Sequence, residues 1–252
     1  SPHLTALDEL GVFPPSDQPW LQAVLVSPLR ERLTALSLGA YHPTAEVQAL
    51  MDSGLLGRLR TLVFYGYQPW EVAAGPVLAA GATDRLNSLS WVMADLAGPA
   101  LRELAASHPL KSLERLDFGN NNFTPDSLAA LAEWLASDRL PRLTSLDLSY
   151  CRMREAEPAV LAACPGLARL RELDLTGCEI RNQGARALAA SPHVAGLRIL
   201  RLGSNGIQGP AARTLAESPY LGGLRVLELS GNRIPTSVEK VLHRRFGPGV
   251  VR

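Results

Sequence analysis

A pattern of leucines, Leu-x-x-Leu-x-apolar, recurs eight times along the 252-residue chain and limits its possible folds more than any other feature. Copies such as "LERLDF", "LTSLDL", "LRELDL" and "LRVLEL" begin at residues 33, 59, 86, 113, 143, 170, 197 and 224, so neighbours are 26 to 30 residues apart. Self-similarity at such a period is typical of solenoids. One unit cannot bury its leucines alone, so we expect the units to stack.

Each unit predicts a strand, a turn, a helix and a return. Alternation of apolar and polar residues predicts a short strand with one buried face. In the later units a small or polar residue and then an apolar one follow, as in Asn121 and Phe123 or Asn205 and Ile207. Such an asparagine can bond to neighbouring backbone and hold the turn. An alanine- and leucine-rich segment then predicts a helix that ends near a proline.

Stacking determines the overall shape. Equivalent strands should lie side by side and parallel, roughly 4.8 Å apart, whereas helices are about 10 Å wide. The strand side is therefore shorter than the helix side, and the stack must curve. The sequence predicts an α/β solenoid shaped as a horseshoe, with a concave parallel β-sheet and convex helices.

The sequence of the repeats resembles that of a known family. "LxxLxLxxNxI" followed by "GAxALA" resembles the leucine-rich repeat, in particular its helix-bearing ribonuclease-inhibitor-like subtype. The stretch "ALAASPHVAGLRILRLGSN" further resembles bacterial leucine-rich repeat proteins that carry a repeat-companion domain. The resemblance covers about residues 30 to 252 and implies the leucine-rich repeat solenoid. It implies little about function, because such scaffolds host many roles.

The repeat boundaries predict one domain in three parts. We expect residues 1–32 to form a capping helix region or a degenerate repeat, 33–234 the eight repeats, and 235–252 a last helix and C-terminal cap. The first four residues, "SPHL", echo "SPHV" at 191–194. This echo is compatible with further repeats before Ser1 in the native gene; whether such repeats or a companion domain precede Ser1 stays open, whereas the natural C-terminus is expected to be present.

Composition narrows the partners and the compartment. A net charge of +1 gives no whole-chain attraction to nucleic acid or anionic membrane, so neither is expected as a partner. No apolar run approaches the roughly 20 residues of a membrane helix. Three cysteines do not indicate a disulfide framework, so we expect a reducing cytoplasm.

Catalytic motifs are absent from the sequence. The five histidines fall in different repeats or caps, and none has a cysteine or histidine at metal-ligand spacing. No nucleophile elbow, phosphate loop or dinucleotide fingerprint occurs. We therefore predict no enzyme activity, no cofactor and no metal.

Two cysteines, Cys151 and Cys178, occupy the asparagine slot of adjacent repeats. Their backbones should lie about one strand spacing apart, roughly 5 Å, which is near enough for a disulfide or a metal pair. The alternative, which we favour, is that each is a small buried residue that replaces asparagine. Cys164 stands where neighbouring repeats have serine, and we expect a structural role for it too.

The middle position of successive strands carries charge. Asp117, Asp147 and Asp174 are followed there by Arg201 and Glu228. Aspartate is disfavoured in strands, and like charges side by side are destabilising. Either this acidic stripe is kept for a basic partner, or the wording was copied by repeat duplication and is tolerated in solvent.

Aromatic residues mark the earlier repeats, in "VFYGYQPWE" at 63–71. Tyr65 should face the concave side, Tyr67 fills the asparagine slot and Trp70 lies on the loop beyond. Exposed tyrosine and tryptophan are enriched at protein interfaces. Repair of an irregular turn is an equally good interpretation.

These observations predict a non-catalytic scaffold that binds a protein partner through its concave face. The contact candidates are Tyr65, Tyr67, Trp70, Asp117, Asp147, Tyr150, Asp174, Arg201 and Glu228. The resemblance also implies one alternative, a regulator of an enzyme, like a ribonuclease inhibitor or a GTPase activator. A second alternative, motivated by the start of the sequence at Ser1 without a methionine, is a structural segment of a larger multidomain protein. The partner's identity and the oligomeric state stay open.

Overall fold

A computed structural model of the protein describes residues 9–12, 20–39, 44–66, 84–94, 98–106, 109–153 and 157–252. Within these residues, nine parallel strands form one open sheet in chain order, which confirms the predicted parallel sheet of an α/β solenoid. The eight leucine patterns each provide one strand, and a ninth strand precedes them. The strands are β1 (Glu9–Val12), β2 (Ala35–Leu38), β3 (Thr61–Tyr65), β4 (Ser88–Val92), β5 (Arg115–Asp117), β6 (Ser145–Asp147), β7 (Glu172–Asp174), β8 (Ile199–Arg201) and β9 (Val226–Glu228).

Helices follow most of the strands along the chain and pack against the buried face of the sheet. In the described residues they are α1 (Trp20–Val26), α2 (Thr44–Asp52), α3 (Gly98–Ala106), α4 (Pro125–Ala136), α5 (Glu157–Ala162), α6 (Arg181–Ala190), α7 (Gly209–Glu217) and α8 (Thr236–Phe246). The start of α4 shows how the sequence sets a boundary. Thr124 and Ser127 form a reciprocal capping box, and Pro125 takes the first helical turn, where its missing N–H costs nothing. None of the described helices is long and apolar enough to cross a membrane.

The core is a continuous leucine interior between sheet and helices. Register places the inward leucines of neighbouring strands opposite one another, for example Leu146 beside Leu173 and Leu173 beside Leu200, and all three are fully buried. Phe64 and Trp91 fill inward leucine positions, with ring centroids 4.3 Å apart. Each repeat thus completes the core of its neighbour, as solenoid stacking requires.

An asparagine ladder joins the repeats at the turns that follow the strands. The Asn205 Nδ2 group donates to Leu175 O at 2.7 Å, in the preceding repeat. Its Oδ1 atom accepts the N–H groups of Cys178 at 3.0 Å and Ile180 at 3.2 Å. Asn121 and Asn232 donate to equivalent carbonyls. Buried turn backbone is therefore hydrogen-bonded across repeat boundaries, which it must be to stay folded.

The two cysteines occupy places in this ladder. The Cys151 Sγ–H donates to Phe118 O at 3.0 Å, and that of Cys178 donates to Leu148 O at 2.9 Å. These carbonyls are equivalent to the ones that receive asparagine. Both thiols are free and buried, and burial raises the pKa of Cys151 to about 12 and also raises the pKa of Cys178. The geometry fits replacement of asparagine rather than a disulfide.

A second ladder stands where helices return to strands. Ser191 Oγ donates to Ala162 O and Ser218 Oγ to Ala189 O, both at 2.6 Å. The Cys164 Sγ–H makes the equivalent bond to Ala132 O at 3.3 Å, which agrees with the structural role expected for this cysteine.

The last residues of the chain cover the edge of β9. Leu227 N–H donates to Val250 O and Leu229 N–H to Arg252 O, each at 2.8 Å, while Arg252 N–H donates to Leu227 O at 3.0 Å. Uncovered strand edges are templates for pairing with other chains, so this segment protects the sheet on that side.

Candidate functional site: the concave face of the sheet

The sheet register brings the five charged candidates into one row. Asp117 lies beside Asp147, Asp147 beside Asp174, Asp174 beside Arg201, and Arg201 beside Glu228. All five residues are half-buried. We call this set the charged row. It runs across the concave face from β5 to β9.

Each acidic member of the charged row also bonds to its own backbone. One carboxylate oxygen accepts the N–H group two residues further on, at the point where the strand ends. The acceptors and donors are Asp117 and Gly119 (2.8 Å), Asp147 and Ser149 (2.7 Å), Asp174 and Thr176 (2.9 Å), and Glu228 and Ser230 (2.7 Å). This bond gives a structural reason for the recurring Leu-Asp-Leu sequence, because the carboxylate accepts a backbone N–H group at the end of the strand.

The same carboxylates are electrostatically unfavourable neighbours. Burial raises the pKa of Asp117, and the charge of Asp147 raises it further, against the opposing bond from Gly119. Burial likewise raises the pKa of Asp174, with Asp147 again adding to the rise and Thr176 and Arg201 opposing it. Asp147 is thus the common source of repulsion within the charged row.

Arg201 is held by acidic side chains on β7. Its guanidinium forms a short ion pair with Glu172 and lies 3.7 Å from the Asp174 carboxylate. The hydrogen bond to Glu172 is the main reason that the pKa of Arg201 is raised. Glu172 was not among the charged sequence candidates, which were taken from the middle strand position alone. Its signal is a place two residues before Asp174, on the same face.

Tyr150 stands at the end of β6 in an unusual backbone conformation. Its φ is +57°, and equivalent positions of neighbouring repeats also have positive φ, at Asn120, Gly177 and Ser204. Asparagine and glycine suit this region, whereas bulky residues seldom adopt it; Tyr150 shares it with Met93, at φ +59° in the equivalent position of an earlier repeat. The ring is 57% exposed and lies against Gly177, where an added Cβ would stand 2.6 Å from Tyr150 Cδ1.

The aromatic candidates of the earlier repeats are only partly described. Tyr65 ends β3, pairs with Val92 in register and is 40% exposed. It therefore faces outward, two strands away from Asp117. Tyr67 and Trp70 lie outside the described residues.

A cavity of about 490 Å³ lies on the turns that follow the strands. Its lining includes Phe123, Arg152, Met153 and Arg181. None of the sequence candidates contributes to it. Within the described ranges, no group of three or more histidine, cysteine or acidic residues could hold a metal ion.

Comparison with known proteins agrees with this architecture. A family model described as leucine-rich repeat matches residues 110–132 and 169–189. No curated protein sequence matches the chain.

Two solved structures share the fold at low sequence identity. A protein from Bacteroides fragilis has a TM-score of 0.65 and 13% identity, over 92% of this chain and 68% of that chain. A chain in the complex of Rad7 and Elc1 from yeast has a TM-score of 0.62 and 14% identity, over 92% of this chain and 59% of that chain. The matched repeats and the nine-stranded sheet of the described residues together show the fold of a leucine-rich repeat solenoid.

Proposed function

We propose that the protein is a non-catalytic scaffold that binds a protein partner through the concave face of its sheet. The contact surface consists of the charged row, with Glu172 and Tyr150 beside it. The observation that carries this proposal is Tyr150, an exposed aromatic residue kept in a backbone conformation that disfavours it. Conformations of this kind cost about 1–3 kcal/mol each and cluster at functional sites.

The charge of this surface indicates a basic partner segment. Five carboxylates, of Asp117, Asp147, Asp174, Glu172 and Glu228, accompany two guanidinium groups. These belong to Arg201 and to Arg115, which lies two residues before Asp117 on the same face of β5. A lysine or arginine of the partner would lie over the Tyr150 ring, as cations do on aromatic faces. Its N–H groups would bond to the carboxylates through charge-assisted hydrogen bonds.

Two further considerations support a protein partner. Stacked repeats provide an extended concave surface of the kind that solenoids use for binding. One of the similar folds belongs to a complex of two proteins, Rad7 and Elc1. We further propose a bacterial cytoplasm as the compartment, because free thiols such as Cys151 persist in a reducing environment. A regulator of an enzyme would use the same concave surface, and a repeat segment of a larger protein would have no partner of its own.

The test replaces Tyr150 by asparagine, the residue found at the equivalent position 120. Asparagine tolerates the left-handed backbone, so the variant should be at least as stable as the wild type. Partners captured with wild-type bait are identified by mass spectrometry, purified and titrated by calorimetry. Loss of a buried aromatic contact should weaken binding by more than about tenfold, or about 1.4 kcal/mol.

A matched control is Val160→Ser, because Val160 is an exposed apolar residue of α5, 43% exposed, on the convex side. This change should leave the affinity within about twofold. If Tyr150→Asn binds as tightly as the wild type, or if both variants lose affinity equally, the concave contact surface is refuted.

A further inference from the structure

Positive charge is concentrated at the end of the sheet where the strands begin, and the net charge of the chain conceals it. The segments that lead from a helix into the next strand hold twelve of the 25 lysine and arginine residues but only four of the 24 acidic residues. Because the whole chain has a charge of +1, the remainder must be net negative. We call these segments the basic edge; their described residues are 27–34, 53–60, 84–87, 109–114, 137–144, 164–171, 191–198 and 218–225.

Backbone hydrogen bonds align the basic edge into a row. Arg171 N–H donates to Thr144 O, Arg198 N–H to Arg171 O, and Arg225 N–H to Arg198 O, each at 2.7 Å. Equivalent residues therefore follow one another at the strand spacing of roughly 4.8 Å, and seven such steps span about 34 Å. Twelve positive and four negative charges over that length leave one net positive charge per roughly 4 Å.

Packing of the repeats explains only some of these arginines. The Arg171 Nη1 group donates to Gly196 O at 2.9 Å and that of Arg198 to Gly223 O at 3.2 Å, so these side chains join adjacent repeats. Arg60, Arg142 and Arg225 are exposed. None of these three has a side-chain hydrogen bond or ion pair with another described residue. Structural bonds therefore leave part of the positive charge unexplained.

We propose that the basic edge docks on the phosphate backbone of double-stranded nucleic acid, without reading its sequence. Each strand of a duplex carries one phosphate per about 3.4 Å of axis, close to the charge spacing of this edge. Eleven of the twelve cations are arginine, with Lys111 the exception, and the planar guanidinium suits bidentate binding of phosphate. The net charge of the whole chain led us to expect no nucleic acid partner, and this proposal departs from that expectation.

Two features favour a duplex over other polyanions. The aromatic rings in the described part of the basic edge are those of Tyr220 and His193, and both residues are half-buried, so unpaired bases find no open stacking platform there. The edge is a narrow line of charge rather than a broad patch, which fits a rod of phosphates better than the surface of a bilayer. An anionic membrane and an acidic protein are the outcomes that the test must separate from a duplex.

The experiment compares two triple variants by fluorescence anisotropy on a labelled DNA duplex of about 20 base pairs, roughly two helical turns. The edge variant carries Arg60→Gln, Arg142→Gln and Arg225→Gln. The control carries Arg186→Gln, Arg213→Gln and Arg244→Gln, which are exposed arginines of α6, α7 and α8. Both variants lose three positive charges, so only the position of the charge differs.

Wild-type affinity should fall steeply between about 50 and 200 mM salt. The edge variant should bind at least about tenfold more weakly at the lower salt, and its log–log salt slope should be shallower by roughly 2 to 3. The control should stay within about twofold of the wild type. Circular dichroism on all three proteins verifies that the fold is kept.

The proposal is overturned if the wild type does not bind the duplex at low salt, or if both triple variants lose affinity equally. Vesicles containing phosphatidylglycerol and poly-glutamate serve as competing probes. If the edge substitutions abolish binding to either of these while the duplex is not bound, the basic edge serves a membrane or an acidic protein instead. Binding of the duplex does not depend on the concave face, so Tyr150→Asn should leave it unchanged.

Discussion

Asp147→Asn should stabilise the fold at neutral pH. Asp147 has a carboxylate on each neighbouring strand, Asp117 and Asp174, and it raises the pKa of both. Charges at the strand spacing of about 4.8 Å repel by roughly 1 kcal/mol per pair in water, and measured cross-strand pairs contribute about 0.2–1 kcal/mol. Asparagine keeps an acceptor for the Ser149 N–H, 2.7 Å away. We therefore expect a gain of about 1 kcal/mol.

The pH dependence of this gain tests its cause. The raised pKa values of Asp117 and Asp174 mean that the folded state binds their protons more tightly than the unfolded state. Their contribution to stability is present below the unfolded pKa, near 3.8, and is lost as pH rises through the folded pKa values. The benefit of Asp147→Asn should accordingly be small near pH 4, grow towards pH 7 and shrink in about 1 M salt.

Urea unfolding followed by circular dichroism between about pH 4 and pH 7 measures this effect. Asp138→Asn is the matched control, because Asp138 is an exposed aspartate away from the charged row. Asp147→Ala should be less stable than Asp147→Asn by about 1 kcal/mol, since it removes the strand-end acceptor. A gain that is equal at both pH limits, or a loss of stability with asparagine, would refute the argument from repulsion.

Two further predictions concern other parts of the fold. Cys178→Ala should lower the free energy of unfolding by about 1 kcal/mol, because it removes the hydrogen bond to Leu148 O, 2.9 Å from Sγ. Urea titration measures this change, and an unchanged free energy would mean that the thiol adds nothing to the ladder. Deletion of residues 248–252 should expose the edge of β9 and promote self-association; sedimentation at rising concentration checks this, and a strictly monomeric deletion variant would contradict it.

The eight strands of the repeats were predictable because leucine spacing alone determines which face of each short strand is buried. The cysteine slots were predictable for a similar reason: Cys151 and Cys178 replace asparagine at a fixed place in a periodic pattern. The strand-end bonds of Asp117, Asp147 and Asp174 were missed, since they depend on the direction of single N–H groups. A glycine, serine or threonine two residues later is a signal too common to indicate such a bond.

The acidic row of Asp117, Asp147 and Asp174 was predicted from the repeat pattern, but the basic edge was missed, because the net charge sums opposite regions. In that sum, the negative charges of the concave face, such as Asp174 and Glu172, offset the positive charges of the basic edge, such as Arg142 and Arg225. The backbone hydrogen bonds between repeats show that these arginines also lie along one line. The aromatic site at Tyr67 and Trp70 remains a prediction.

The cysteine joints also divide the stack mechanically. Asn121 secures the repeats before them, and Asn205 and Asn232 secure those after. A thiol sulfur is a weak acceptor, so Cys151 and Cys178 cannot match the paired N–H bonds that an amide oxygen receives. Under force or mild denaturant we expect the stack to separate first at the repeats that carry Cys151 and Cys178. The repeats on each side would keep their asparagine hydrogen bonds.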